Sequence, residues 1–212
     1  MLCLGIDPDL HDTAIASWDD QGPVAAHVVS IPRKLTGTDA LLAMMQALSD
    51  KWPCFSREQY GKGEYDAVGD MPTWCAVEGQ EWIKARGIGG QSIISLGNVA
   101  GMCVMRVARG YLHGCGLYWP RPSEWKGSVP KHAMQARLYD ELGWGYRLHT
   151  IKGKPDYAVP GDSVETARFL ARCSLAGSDA IGGAQWKHVG DALLLARWCW
   201  EQASGRPWVR VG

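Results

Sequence analysis

The opening stretch LCLGIDPDLHDTAIASWDDQGPVAAHVVSI constrains the fold more than any other part of the chain. LCLGID, TAIASW and Val24–Ile31 are short apolar runs, and between them stand Pro8, Asp9, Asp12, Gln21, Gly22 and Pro23, residues that favour turns. This pattern predicts antiparallel hairpins, so a strand meander opens the fold. Asp39–Lys51 then carries Leu41, Leu42, Met45 and Leu48 at helical spacing. Residues 52–72 read as a long surface loop, and TWCAVE as a buried strand that ends on Glu78. After the Gly-rich, basic EWIKARGIGG, the run Gln91–Arg109 is helical, with Gly97 and Gly101 four apart for close approach of another backbone. GLYWP is a further strand stopped by Pro120, Lys131–Leu142 a helix, and Gly143–Gly161 a polar, glycine-bearing connection. Ser163 can cap a helix running to about Cys173, LAGSDAIGGAQW is a loop, and His188–Ala203 is the last helix. Strands first, then helices alternating with strands, indicate an α/β fold: a mixed sheet with helices on its faces.

With 212 residues, 46% of them hydrophobic and 21% charged, the chain can bury a sizeable core. It is not a disordered or fibrous sequence. No apolar run reaches the roughly 20 residues of a membrane span, and MLCLGIDPDL lacks the basic and apolar regions of a secretion signal. A cytoplasmic protein with no membrane partner is expected. Seven scattered cysteines without C-x-x-C spacing predict reduced, mostly buried thiols rather than disulfides or a zinc site. The formal net charge of zero hides a gradient. Residues 1–80 hold 12 acids and 5 bases, whereas residues 81–155 hold 4 acids and 11 bases. The basic middle third suits a polyanion, and some of the acids can be gathered around a metal; ordinary solvated surface charge gives the same counts.

Asp7 ends the first strand, Glu78 ends the fourth, and Asp191 sits near the start of the last helix, three residues after His188. Residues just past strand ends project into the crevice where ligands bind, so the two carboxylates placed there, Asp7 and Glu78, can converge although 71 residues separate them. Converging carboxylates repel one another unless a hard cation such as Mg²⁺ or Mn²⁺ neutralises them, and two such ions can drive phosphodiester hydrolysis. Each residue also has a simpler role: Asp7 before Pro8 can terminate a strand, and His188 and Asp191 can be residues of a helix start. Glu78 is harder to assign so, because a carboxylate finishing a buried strand needs a partner.

Five segments together resemble the RuvC-type Holliday junction resolvases of the RNase H-like superfamily, which include phage-encoded members. They are LGIDPDLHDTAIA, CAVEGQEW, SLGNVAGMCVMRVARG, YWPRPSEWKGSVPKHAMQARL and HVGDALLLA, in the family's order. The resemblance implies an RNase H-like fold, a mixed five-stranded sheet with helices on both faces, and a single nuclease domain over residues 1–212. It implies a metal-dependent endodeoxyribonuclease, a homodimer, that resolves four-way junctions by symmetric paired nicks through a two-metal mechanism, with Mg²⁺ as cofactor and Mn²⁺ able to substitute. Its host would be a bacterial or phage-infected cell. The family's catalytic and metal-binding positions fall on Asp7, Glu78, His188 and Asp191. Many members carry aspartate where this chain has His188, which supplies a nitrogen ligand or a proton-transfer group instead. Asp9 stands where glycine is common and can add a carboxylate near the metal; Gly79 separates Glu78 from Gln80, a pair usually adjacent. Residues 144–187 have no counterpart.

DNA contacts are expected from Lys84, Arg86, Arg121, Lys126 and Lys131 on phosphates. Trp82 is expected either to stack on an unpaired base or to clamp its own loop. Three other functions fit the sequence less well. One is an actin-like or sugar-kinase-like ATPase, suggested by GIDPDLHDTAIA, although 212 residues scarcely accommodate the two domains and the second glycine-rich phosphate loop such proteins need. The others are a non-catalytic DNA-binding module and a broader debranching nuclease acting on flaps and Y-forks.

Overall fold

The computed structural model describes residues 1–51, 72–79, 90–110, 115–175, 178 and 180–207. β1 (Cys3–Asp7), β2 (Asp12–Asp19) and β3 (Gly22–Ser30) form the expected antiparallel meander. α1 (Gly37–Asp50) leads to the segment before β4 (Trp74–Val77), and α2 (Gly90–Gly110) precedes β5 (Gly116–Tyr118). The five strands make one mixed sheet in the order β3-β2-β1-β4-β5, with β1, β4 and β5 parallel. The loop expected at 52–72 lies almost wholly outside the described residues.

Every residue of β1 is buried, so the sheet is covered on both faces there. On one face lies α6 (Trp186–Ser204), the last helix. It comes so close to β1 that a Cβ on Gly5 would stand 2.2 Å from the Ala196 nitrogen and 2.3 Å from the Ala192 oxygen. Alternation along the strand then puts Asp7 on this same face. The other face is covered by α1 and α2, which pack on each other and reach β3 and β4. α1 turns differently from expectation. It buries Ala40, Met44 and Leu48, one stripe at i, i+4, i+8, and leaves Leu42 and Met45 exposed. Two apolar stripes adjoin on this helix, and the one with the smaller residue, Ala40, at its start is buried where α1 packs on α2 and β3.

The short α3 (Pro122–Trp125) and α4 (Lys131–Glu141) follow β5. The stretch after α4, expected to be an irregular connection, is a β-hairpin of β6 (Tyr146–Ile151) and β7 (Lys154–Pro160). β6 is exposed along its whole length, although Tyr146 and Leu148 alternate with Arg147 and His149. α5 (Val164–Leu175) begins as expected, with the Thr166 amide donating to Ser163 Oγ at 3.1 Å. It also closes the open edge of β3: Arg172 Nε donates to the Val24 carbonyl at 2.7 Å, and the Ala26 amide donates to Cys173 Sγ at 3.2 Å. Tyr139, Trp144, Phe169 and Trp186 form a buried aromatic cluster that ties α4, α5, α6 and the hairpin root together. Among the described residues no helix is long and apolar enough to cross a membrane.

Candidate metal centre

The parallel register of β1 and β4 matches Ile6 with Val77, and the Glu78 amide donates to the Ile6 carbonyl at 3.0 Å. Asp7 and Glu78 therefore leave adjacent strands side by side on one face. α6 crosses that face and brings Asp191 to them. Ligand oxygens of Asp7, Glu78 and Asp191 all lie within 4.8 Å of one another, and all three residues are buried. His188, one turn earlier on the helix, places Nδ1 2.9 Å from Asp7 Oδ2. Its ring braces Asp7 and stands outside the three-carboxylate cluster. The sequence expectation thus joins four residues that the fold assembles as three acids and one histidine partner.

Two expected DNA-contacting lysines turn inward. Lys126 Nζ lies 2.8 Å from Glu78 Oε1 and 3.0 Å from Asp191 Oδ2, and Lys131 Nζ lies 2.7 Å from Asp191 Oδ2. Arg121 keeps an exposed side chain beside Glu124, in the turn whose Pro120 carbonyl accepts from the Gly79 amide at 2.8 Å. Trp82, Lys84 and Arg86 lie outside the described residues. Asp9 does not join the acids: its Oδ1 accepts from the His11 amide at 2.9 Å, folding its own turn.

Charge is distributed unevenly within the cluster. Burial pushes the Asp7 carboxyl up, but the His188 hydrogen bond and the charges of Lys131, His188 and Lys126 outweigh it and hold Asp7 well below the usual carboxylate range. Glu78 goes the other way. Burial and the neighbouring Asp7 charge raise it to about 8, against the downward pull of Lys126. Burial alone would lower Lys126, yet Asp191, Glu78 and Asp7 hold its ammonium above the ordinary lysine range. His188 is raised as well; the Asp7 hydrogen bond and charge overcome the effect of burial. Three carboxylates with two ammonium groups drawn onto them form a site that demands positive charge. An all-oxygen, buried donor set of this kind fits a hard divalent cation such as Mg²⁺ or Mn²⁺.

Gln135 and Trp119 belong to the site but were not singled out from sequence. Gln135 is fully buried and donates through Nε2 to Asp191 Oδ1 at 2.9 Å and to the Lys187 carbonyl at 3.1 Å, while its Oε1 accepts from the Ala158 amide at 3.0 Å. Gly190 makes this reach possible, since a Cβ there would stand 2.7 Å from Gln135 Nε2. A glutamine four residues after Lys131 on a helix was the available signal, but burial decides its role. Trp119, half exposed, lies over Gly79, where a Cβ would meet its ring at 2.4 Å. This contact accounts for glycine directly after Glu78.

No protein-family model matches the chain, and a search of curated proteins gives no match. Among solved structures, RuvC of Thermus thermophilus in complex with a Holliday junction substrate superposes with a TM-score of 0.50 at 13% identity, covering 97% of this chain and 96% of that one. The chain has the RuvC fold. A second Thermus thermophilus RuvC structure aligns at 14% identity and a TM-score of 0.45, over 97% of each chain. The RuvC fold is the RNase H-like α/β architecture expected from the sequence, with its mixed five-stranded sheet. Residues 146–160, built here as the β6–β7 hairpin, sit on that scaffold against α4.

Proposed function

We propose that the protein is a metal-dependent, structure-specific DNA endonuclease that resolves four-way junctions by paired nicks. The observation that carries this reading is the buried meeting of Asp7, Glu78 and Asp191 at the ends of parallel strands on a RuvC fold. These three carboxylates would hold Mg²⁺, or Mn²⁺ in its place, in a two-metal hydrolysis. Bound there, the ions would supply Lewis-acid charge to the scissile phosphate and would lower the pKa of water beside it.

The chain's own groups divide the remaining work. An ionised Asp7 only accepts, so His188 Nδ1 is the donor at 2.9 Å and Nε2 carries the lone pair of the neutral ring. Nε2 takes the proton of the attacking water, and Asp7 steadies the imidazolium that results. Lys126 and Lys131 neutralise the acids in the metal-free protein. With cations on those acids, the two ammonium groups would be released toward the phosphate, where their charge would stabilise the extra negative charge of the transition state. Arg121 and the basic segment with Lys84 and Arg86 would hold the backbone on either side, and Trp82 would stack at the branch.

Paired nicks require two centres, and a homodimer supplies them. Leu42 and Met45 on α1 and Ile94 and Met105 on α2 are exposed apolar residues on the two helices that share one face of the sheet. Among the described residues a Cβ on Gly97 or Gly101 would meet nothing within 4 Å, and a second copy would pack along that side of α2. The test is metal-dependent nicking of a synthetic four-way junction by Asp7→Asn and Glu78→Gln. Both changes preserve shape, and cleavage is expected to fall at least a hundredfold; full retention by either variant overturns the assignment.

A further inference from the structure

We infer that the β6–β7 hairpin is a nucleic-acid clamp whose tip grips the phosphodiester backbone of a duplex arm next to the metal centre. The inference rests on the nuclease reading above. Its root is fixed at the C-terminal end of α4, where the Trp144 amide donates to the Tyr139 carbonyl and the Gly161 amide to the Gly145 carbonyl. From there the hairpin runs back along the helix, since Ala158 is bonded to Gln135, six residues before the end of α4. Ala158 to Lys154 is about 13 Å of strand, whereas Gln135 to Lys131 is about 6 Å of helix. A strand running on in line with the helix would carry the tip past the N-terminus of α4 by roughly 7 Å. That is the end at which Lys131 reaches Asp191.

The residues carried there are those a phosphate backbone selects. Lys152 and Lys154 are exposed at the tip, and a little behind them the exposed His149 ring stacks on Tyr157 with centroids 4.5 Å apart. The turn itself points the same way. Lys152 has φ 50° and Gly153 φ 76°, a two-residue turn for which asparagine followed by glycine is the favoured pair. A lysine in the left-handed region is the poorer choice for the fold. Its charge at the apex is a reason for keeping it that packing does not provide.

Lys152→Asn separates the two roles, because it removes the charge and suits the turn. Binding is read by fluorescence anisotropy of a labelled synthetic four-way junction in EDTA over a salt series, alongside thermal melting. Losing one phosphate contact should weaken binding about eightfold at 0.1 M salt and reduce the log–log salt slope by about 0.9. Adding Lys154→Gln should reduce it by about 1.8 in all, with the melting temperature unchanged or raised. Unchanged affinity and slope in both variants overturn the clamp, and leave the nuclease reading standing if the wild type cleaves. Hairpin-dependent binding by a wild type that never cleaves supports the clamp and overturns the nuclease reading. A wild type that neither binds nor cleaves overturns both.

Discussion

Gly5→Ala tests how closely function depends on the seating of α6. The added methyl would stand 2.2 Å from the Ala196 nitrogen, 2.3 Å from the Ala192 oxygen and 2.8 Å from the Ala196 Cα. All three are main-chain atoms, so no side-chain rotation relieves the clash. Ordinary contact begins near 3.4 Å, so α6 must retreat by roughly 1.2 Å. Overpacking of this kind costs about 1–3 kcal/mol, against which the stiffer unfolded chain returns less than about 1 kcal/mol. A net loss of about 2 kcal/mol is expected from urea unfolding followed by circular dichroism. The helix also carries His188 and Asp191. A shift of about 1 Å at a reacting centre can cost about a hundredfold, so junction cleavage should fall by that order in protein that is still folded. Ala196→Gly should not rescue the variant, because the contacts are to the Ala196 main chain. Wild-type stability and rate in Gly5→Ala would refute the packing described for α6 on β1.

Glu78, raised to about 8 by burial and Asp7, gives the metal-free protein a distinctive pH dependence. Its folded pKa lies above its ordinary value, so its contribution to stability is complete below about pH 4.5 and is lost as the pH rises through about 8. Metal must displace that proton. Calorimetry should show Mg²⁺ affinity rising nearly tenfold per pH unit up to about 8, with one proton released, and a flat profile would contradict the assignment. Gln135→Met should cost about 2–4 kcal/mol in urea unfolding, because Ala158 and Asp191 each lose a buried partner. It should also lower turnover while leaving KM unchanged, whereas loss of stability alone would point to a purely structural role. Trp119→Ala should weaken binding to junctions with unpaired bases more than to plain duplex, and equal losses would assign the ring to Gly79 packing.

The meander, the parallel strands and the acids at their ends were legible because each rests on local pattern: alternation, turn residues and a carboxylate closing an apolar run. Bringing Asp7 and Glu78 together was also legible, since parallel strands end on one side of a sheet, whereas Asp191 joined them through the family resemblance. What the sequence concealed depends on burial. Lys126 and Lys131 read as surface phosphate ligands, yet the fold turns both onto buried carboxylates. Gln135 carries no sequence signal beyond its spacing from Lys131. On α1 the choice between two adjoining apolar stripes was made by packing on α2 and β3, and the hairpin at 146–160 was hidden because its β6 strand is exposed throughout.

The central claim is that three buried carboxylates on this fold cut branched DNA with a divalent cation. Its most direct test is a cleavage panel of duplex, flap, three-way and four-way substrates with Mg²⁺, with Mn²⁺ and with EDTA. Nicks are expected at symmetric positions on two opposing strands of the four-way junction, in either metal and not in EDTA. Comparable cutting of every branched substrate would make the protein a general debranching nuclease. Cleavage that persists in EDTA, or none on any branched DNA, would contradict the claim itself.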